Sequence, residues 1–275
     1  MITAFGLPEP LLRLGAFVAV LIAMAAWELR RPFRAQARGR GERWPHNLGL
    51  VVLDSLVVRV LFPAGAVGAA LWAEARGVGL FHLADVPPPV AVPLGILVLD
   101  LAIWAQHRLF HAVPALWRLH RVHHADTEFD VTTGLRFHPI EILLSMLIKI
   151  AVVVALGAPA LGVLLFEVLL NAAAMFSHGN VRLPAPVDAA LRRVIVTPDM
   201  HRVHHSALKE ETDSNFGFCL SVWDRLFGTY RAEPAAGQEG FTIGLETFRD
   251  PAELRLDRML TQPFREAERR PLAAE

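Results

Sequence analysis

Four long apolar runs decide what this chain can fold into. Residues 11–29 are apolar apart from Arg13, with Glu28 near the end. Residues 48–73 form a second run holding Asp54 and Arg59, and residues 90–105 a third holding Asp100. Residues 142–176 are nearly all apolar and are interrupted at Gly157, Ala158 and Pro159. At about 1.5 Å rise per residue, a helical run approaching 20 residues crosses a hydrocarbon core of about 30 Å. A run twice as long with a Gly–Ala–Pro break reads as two short helices folded into a hairpin. The expectation is an all-α polytopic membrane protein with about four to five membrane helices. Fully buried helices of a soluble protein are the alternative; run length favours the bilayer. Hydrophobic residues make up 53% of the 275, which excludes disorder and collagen-like structure. The lone Cys219 excludes a disulfide scaffold, and a formal net charge of zero gives no support for nucleic-acid binding.

Charge placement orients these runs. Arg30, Arg31, Arg34, Arg38, Arg40 and Arg43 crowd residues 30–46, whereas residues 74–89 hold only Arg76. A signal peptide carries its charge before the apolar run, so the first run reads as a retained anchor. The positive-inside rule puts residues 30–46 in the cytoplasm and residues 74–89 outside. The third run then returns the chain to the cytoplasm. A hairpin enters and leaves on one side, so the polar residues after 105 form a cytoplasmic helical cap, which holds ten of the twelve His. The chain divides into an anchor and basic loop (1–46), a catalytic membrane domain (47–231) and a polar surface tail (232–275) with an amphipathic stretch at 254–260.

The histidines carry the chemistry. His107 and His111 form HxxxH at the end of the third run. His120, His123 and His124 form HxxHH, and His201, His204 and His205 form a second. Residues at i, i+3 and i+4 share one helix face, so each group can aim two or three imidazoles at one point. Neutral imidazole suits Fe, Zn, Cu and Ni. Packed without metal, so many imidazoles would have to stay neutral in a poor solvent or repel as cations. His178, just after the hairpin, returns to the level of His107 and joins the set. His46 and His82 lie outside it. A zinc site takes four ligands at most, so eight or nine imply two metals. No Cys falls among them, and HExxH is absent, which disfavours iron–sulfur centres and zinc proteases. A two-iron centre that activates O2 at the membrane surface is the best physical match.

The ordered motifs resemble one family. They are His107-Arg-Leu-Phe-His111, Leu116-Trp117-Arg-Leu-His120-Arg-Val-His123-His124 and Arg136-Phe-His138-Pro-Ile-Glu141, then Thr197-Pro-Asp-Met-His201-Arg-Val-His204-His205 and Trp223-Asp-Arg-Leu-Phe-Gly-Thr229. This set is similar to the fatty acid hydroxylase / sterol desaturase superfamily over roughly residues 45–265. The resemblance implies an integral membrane non-haem di-iron oxygenase that hydroxylates or desaturates a lipid, with O2 as co-substrate. It implies metal ligation by His107, His111, His120, His123, His124, His178, His201, His204 and His205. It also implies electrons from a separate protein, a ferredoxin or a cytochrome b5-like donor with its reductase, since no such domain lies in these residues. Two departures stand out. Many relatives have Asn-Tyr-Gly where this chain has Asn215-Phe216-Gly217, and some have a further His where Arg182 stands.

Other residues have candidate roles near the metals. His138 is a further ligand or a hydrogen-bonding neighbour. Asp199 could orient a ligand His through its second ring nitrogen, and Asn215 and Asp126 have similar standing. Trp117 and Trp223 read as interfacial anchors or site residues, and Asp224 with Arg225 as a surface pair. A membrane-embedded zinc hydrolase is a rival reading, with Glu141 or Glu128 as its base. A non-enzymatic metal carrier is another, though the His groups sit outside the spans rather than along a path through them.

Overall fold

The computed structural model describes residues 3–4 and 7–266. Four helices precede the third apolar run: α1 (Glu9–Arg30), α2 (Arg40–Leu61), α3 (Gly65–Arg76) and α4 (Leu80–Leu83). Then come α5 (Pro88–Ala112), α6 (Pro114–His124), α7 (Pro139–Leu156), α8 (Ala160–Ser177), α9 (Ala185–Leu191) and α10 (Pro198–His204). The cap continues through α11 (Lys209–Thr212), α12 (Val222–Leu226), α13 (Gly237–Gly240) and α14 (Leu256–Thr261). Strand among the described residues is one two-residue ladder, Thr3–Ala4 with Leu7–Pro8. The all-helical expectation holds, and five stretches are long and apolar enough to cross a membrane: Glu9–Arg30, Arg40–Leu83, Pro88–Ala112, Pro139–Leu156 and Ala160–Ser177.

Local chemistry sets the breaks. The expected hairpin is α7 and α8, and Gly157 ends α7 in the left-handed region at φ 65°. There it meets Gly79, itself at φ 111°, and a Cβ on Gly79 would lie 2.1 Å from the Gly157 nitrogen. Only two bare backbones fit that crossing. The second run differs from expectation. The expected span is there, but it is not one continuous helix over 48–73: it is two helices with a break at residues 62–64. Pro63 has no N–H to give and pushes the preceding Phe62 out of helical geometry, to φ −129° and ψ 66°. Since α3 packs on α7 and α8, and Gly79 beyond it touches the hairpin tip, the kinked pair still runs from one end of the bundle to the other.

Packing inside the bundle relies on small residues, as it must where lipid tails are as apolar as leucine. Ala66 and Ala70 of α3 meet Leu99 and Ile103 of α5, Val153 of α7 and Phe166 of α8 in one buried cluster. Leu11, Leu14, Ile22, Val52, Leu56 and Val60 point outward and stay exposed, as lipid-facing residues do.

Above the bundle a buried ionic lattice ties α2 to the cap. The Arg43 guanidinium donates to Asp126 at 2.6 and 2.9 Å and to Asp130 at 2.6 Å, all three fully buried. Trp44 Nε1 adds a bond to Asp130 at 3.1 Å. Loss of one partner from such a pair costs on the order of 3–5 kcal/mol, because a bare charge remains buried. Residues 238–266 do not trail off as a surface tail. Met259 is fully buried beside Leu50 of α2 and Val122 of α6. Arg121 and Arg118 on α6 donate to the carbonyls of Gln262 and Pro263, each at 2.6 Å. Gly244 N–H donates to the His205 carbonyl at 3.0 Å. The segment is a belt drawn around the helices that carry the histidines. The amphipathic stretch at 254–260 gives its apolar side to that packing.

Candidate metal centre

Four helix ends bring the histidines together. The last two turns of α5 present His107 and His111. After a tight turn, α6 returns with His120, His123 and His124. His178 is the residue that ends α8. Thr197 caps α10 by accepting from Met200 N–H at 3.4 Å, Pro198 fills its first turn, and His201, His204 and His205 follow. The nine imidazoles form two groups: His107, His111, His120, His124 and His204 in one, and His123, His178, His201 and His205 in the other. In each, one ligand atom per residue lies within 4.8 Å of all the rest.

Ring partners fix which nitrogen is bare. His107 Nδ1 sits 2.8 Å from the Phe216 carbonyl and His204 Nδ1 2.6 Å from the Ser214 carbonyl. A carbonyl only accepts, so both Nδ1 atoms carry the proton and both Nε2 atoms are lone pairs. Those two Nε2 atoms are 3.0 Å apart. His120 repeats the arrangement, with Nδ1 2.6 Å from Glu141 Oε1 and Nε2 3.0 Å from that of His107. In the second group His178 Nδ1 donates to the Ala174 carbonyl at 2.7 Å, and its Nε2 lies 3.0–3.2 Å from those of His201, His205 and His123. Lone pairs facing one another at this distance repel unless a cation stands between them. Two nitrogens 3.0 Å apart can share an ion about 2.1 Å from each.

Electrostatics agrees with neutral ligands. Burial pushes His120 down to about 3. It pushes His178 down to about 4, against the opposing Ala174 carbonyl. Burial and then the neighbouring imidazoles hold His123, His124, His201, His204 and His205 well below the usual range. The residues therefore fit a pair of transition-metal ions held by nitrogen alone.

The remaining candidates fall elsewhere. His138 is in neither group: its Nδ1 accepts from Ile140 N–H and caps α7, and its Nε2 faces the Leu260 carbonyl at 3.2 Å. Asp199 accepts from Arg202 at 2.7 Å and pairs with Arg182, and no bond from it to a ligand ring is seen among the described residues. Asn215 donates to the carbonyls of Met200 and Arg231, so it braces the last cluster through backbone and touches no ring nitrogen. Asp126 belongs to the Arg43 lattice. His82 lies at the far hairpin tip against Gly157, and His46 joins neither group. Arg182, in place of a further His, pairs with Asp199 and Glu239. Trp117 is half-buried, its ring 4.9 Å from that of His111 and 5.4 Å from that of His124. Phe216 sets its ring against His107, His111 and His204, so the missing tyrosine hydroxyl leaves the packing in place.

Asp224 corrects an expectation. It is not a surface partner of Arg225 but fully buried, accepting from Phe216 N–H, Gly217 N–H, Trp104 Nε1 and Thr229 Oγ1. Arg225 instead donates to the Arg192 carbonyl and lies over the Tyr230 ring. Trp223 is buried and donates to Asp100 at 2.8 Å. The sequence held a signal for this hub. Asp100 is a carboxylate inside a span, and such a group faces a protein partner. It held a weaker one for Glu141 and Asp213, the carboxylates behind His120 and His111.

Known proteins resemble this chain over the residues that carry the histidines. The chain is 32% identical over 149 residues to ornithine lipid hydroxylase OlsE of Rhizobium tropici, a match covering 54% of this chain and 44% of that one. It is 26% identical over 157 residues to alkylglycerol monooxygenase of Homo sapiens, covering 55% and 33%. Its likeness to the Xenopus tropicalis alkylglycerol monooxygenase is 28% over 160 residues, covering 56% and 34%. The aligned part is thus less than half the length of these curated relatives, and no solved structure matches. A model of the fatty acid hydroxylase family matches residues 92–229, which run from α5 through the hub at Asp224 and contain all nine clustered histidines. The chain belongs to the fatty acid hydroxylase family.

Proposed function

We propose that this protein is an O2-dependent membrane oxidoreductase that hydroxylates a C–H bond of a lipid at a di-iron centre. The observation that carries this reading is the pair of all-nitrogen clusters with Nε2 atoms 3.0–3.2 Å apart. His107, His111, His120, His124 and His204 would hold one iron, and His123, His178, His201 and His205 the other. Bound iron supplies O2 activation and C–H cleavage. Insertion of one oxygen atom, with release of the other as water, consumes two electrons and two protons. A ferredoxin or a cytochrome b5-like protein with its reductase would deliver the electrons. The basic residues 30–46 lie at the same end as the centre, with Arg43 bonded to Asp126 just after His124, which supports a cytoplasmic site.

The chain's own residues do the rest. Glu141, Asp213 and three carbonyls hold the Nδ1 protons and aim the Nε2 atoms. Phe137 lies flat on His123 at 4.5 Å, and Phe129 packs on His178 and His205, keeping water from those rings. Phe218 touches one ligand of each cluster, His107 at 5.0 Å and His201 at 6.3 Å. Its other side packs on the core of the membrane bundle. On this reading a lipid chain rising from the bilayer would reach the centre past this ring. The names of the relatives, a lipid hydroxylase and an alkylglycerol monooxygenase, favour hydroxylation over desaturation.

The zinc-hydrolase reading finds little support. Glu141 is engaged with His120, and Glu128 accepts from Arg38 N–H at 2.9 Å. One preparation tests both readings. Purified under reducing, metal-replete conditions, the protein should carry about two irons per chain, one for each cluster. Lipids of cells expressing it should gain a hydroxyl only when O2 is supplied. A zinc-loaded protein active without O2 overturns the proposal.

A further inference from the structure

The cap carries an apolar surface that the metal chemistry does not use. On α12 the residues are distributed the opposite way from a helix facing water. Trp223 and Asp224 are turned inward and buried, while Val222 and Leu226, one turn apart, are 41% and 66% exposed. Phe227 follows at 45%. Val194 lies alongside at 59%, since Ser221 N–H donates to its carbonyl at 3.0 Å. Val187 and Leu191 on one face of α9 extend the patch. A contiguous apolar surface on a polar cap marks a lipid or protein contact.

Its attachment points say which. Phe227 stacks on Trp104 at 4.5 Å, and Trp104 Nε1 donates to Asp224 at 3.0 Å. One turn deeper, Asp100 accepts from Trp223 Nε1 at 2.8 Å and from the N–H groups of Cys219 and Leu220. Trp104 and Asp100 belong to α5, a candidate membrane span. At about 1.5 Å per residue they lie roughly 12 and 18 Å below its cap end. Residues 219–227 are thus fastened to a spanning helix about one to two turns below His107. The outer face of the same helix continues downward through exposed Leu97 and Leu94. Arg193 and Arg225 stand exposed at the rim, where cations meet lipid phosphates.

We propose that α9 and α12, with Val194 and Phe227, sit in the headgroup–acyl boundary of the metal-side leaflet and hold the cap against the bilayer. The occupant of the patch is the lipid surface. This goes beyond the proposed oxygenation and rests on the reading of α5 as a membrane span. Spin labels on Leu226→Cys and Val194→Cys test it, in the full chain reconstituted into phosphatidylcholine vesicles with a minor fraction of phosphatidylglycerol. Leu97→Cys serves as the in-span reference and Glu246→Cys, on the exposed belt, as the aqueous one. Native Cys219 is half-buried in the hub, and the unsubstituted chain shows what it takes up. Labels at 226 and 194 should relax severalfold more with O2 than with an aqueous nickel chelate, as at 97, with the reverse at 246. Values like those at 246 overturn the proposal. So does shielding from both reagents with dipolar broadening between labels, since a second copy then covers the patch. If position 97 itself reads as aqueous, the membrane-span premise fails, and the proposal with it.

Discussion

The two histidine clusters use the same donor atom and differ in what stands behind it. In the five-histidine cluster, four rings have their second nitrogen held: His120 by Glu141, His111 by Asp213, and His107 and His204 by carbonyls. In the four-histidine cluster only His178 has such a partner, the Ala174 carbonyl. The Nδ1 atoms of His123, His201 and His205 are buried without a hydrogen bond. These rings are positioned by packing instead, against Phe137, Phe129 and one another. A ring held by a carboxylate is more basic and cannot turn; a ring held by packing can relax when its ion leaves. On the proposed reading the first site would keep its metal and the second would be more labile.

Replacing one ligand in each cluster is the sharpest way to break this comparison. His204→Ala and His123→Ala should each reduce bound iron from about two to about one per chain and abolish turnover. The ion left in His123→Ala should resist a chelator longer than the one left in His204→Ala. Loss of both ions in either variant would make the clusters one unit.

Acid is the next test, and it acts on both clusters. In the metal-free protein His120 stays neutral down to about 3 and His178 to about 4. An unfolded imidazole takes its proton near 6.5, so between these values the unfolded chain binds more protons than the folded one. The contribution of these rings to stability should be level above about pH 7 and fall steadily as pH drops below about 6.5. Thermal melts of chelator-stripped protein across this range check the sign. A melting temperature that rises on acidification contradicts the neutral-ligand assignment.

The smallest effect should come from Glu141→Gln, which keeps the shape and replaces the carboxyl behind His120 with an amide. Metal affinity should fall about 10–100-fold at the five-histidine cluster and hold at the other. Competition with a graded chelator, read for each site, measures it. An equal loss at both sites would erase the distinction drawn above.

Legibility in the sequence followed distance along the chain. The ligand groups were plain because i, i+3 and i+4 spacing is a property of one helix. The hairpin was plain because Gly157 and Pro159 are local breakers. The kink at Pro63 was legible in principle, but the apolar pattern runs through it and hides it. What was not legible joins elements far apart in sequence. Asp100 meets Trp223 across 123 residues, and Arg43 meets Asp126 across 83. Asp199 looked like a helper because it stands beside His201 in sequence and His138 because it sits in the Arg136–Glu141 motif, yet their side chains turn to Arg202 and Leu260. Polar composition made residues 232–275 look like a surface tail, whereas two arginines on α6 and a few buried side chains such as Met259 draw the described part inward.

That belt has a consequence for the order of assembly. The last ligand, His205, leaves the ribosome before residues 238–266, which then close over it through Gly244 and clamp α6 through Arg121. While the belt is still being made, all nine imidazoles already exist and Gly244 has not yet closed on the His205 carbonyl. On the proposed di-iron reading, metal would enter in the interval between synthesis of these histidines and arrival of their cover. An ion lost afterwards would return only when that cover lifts.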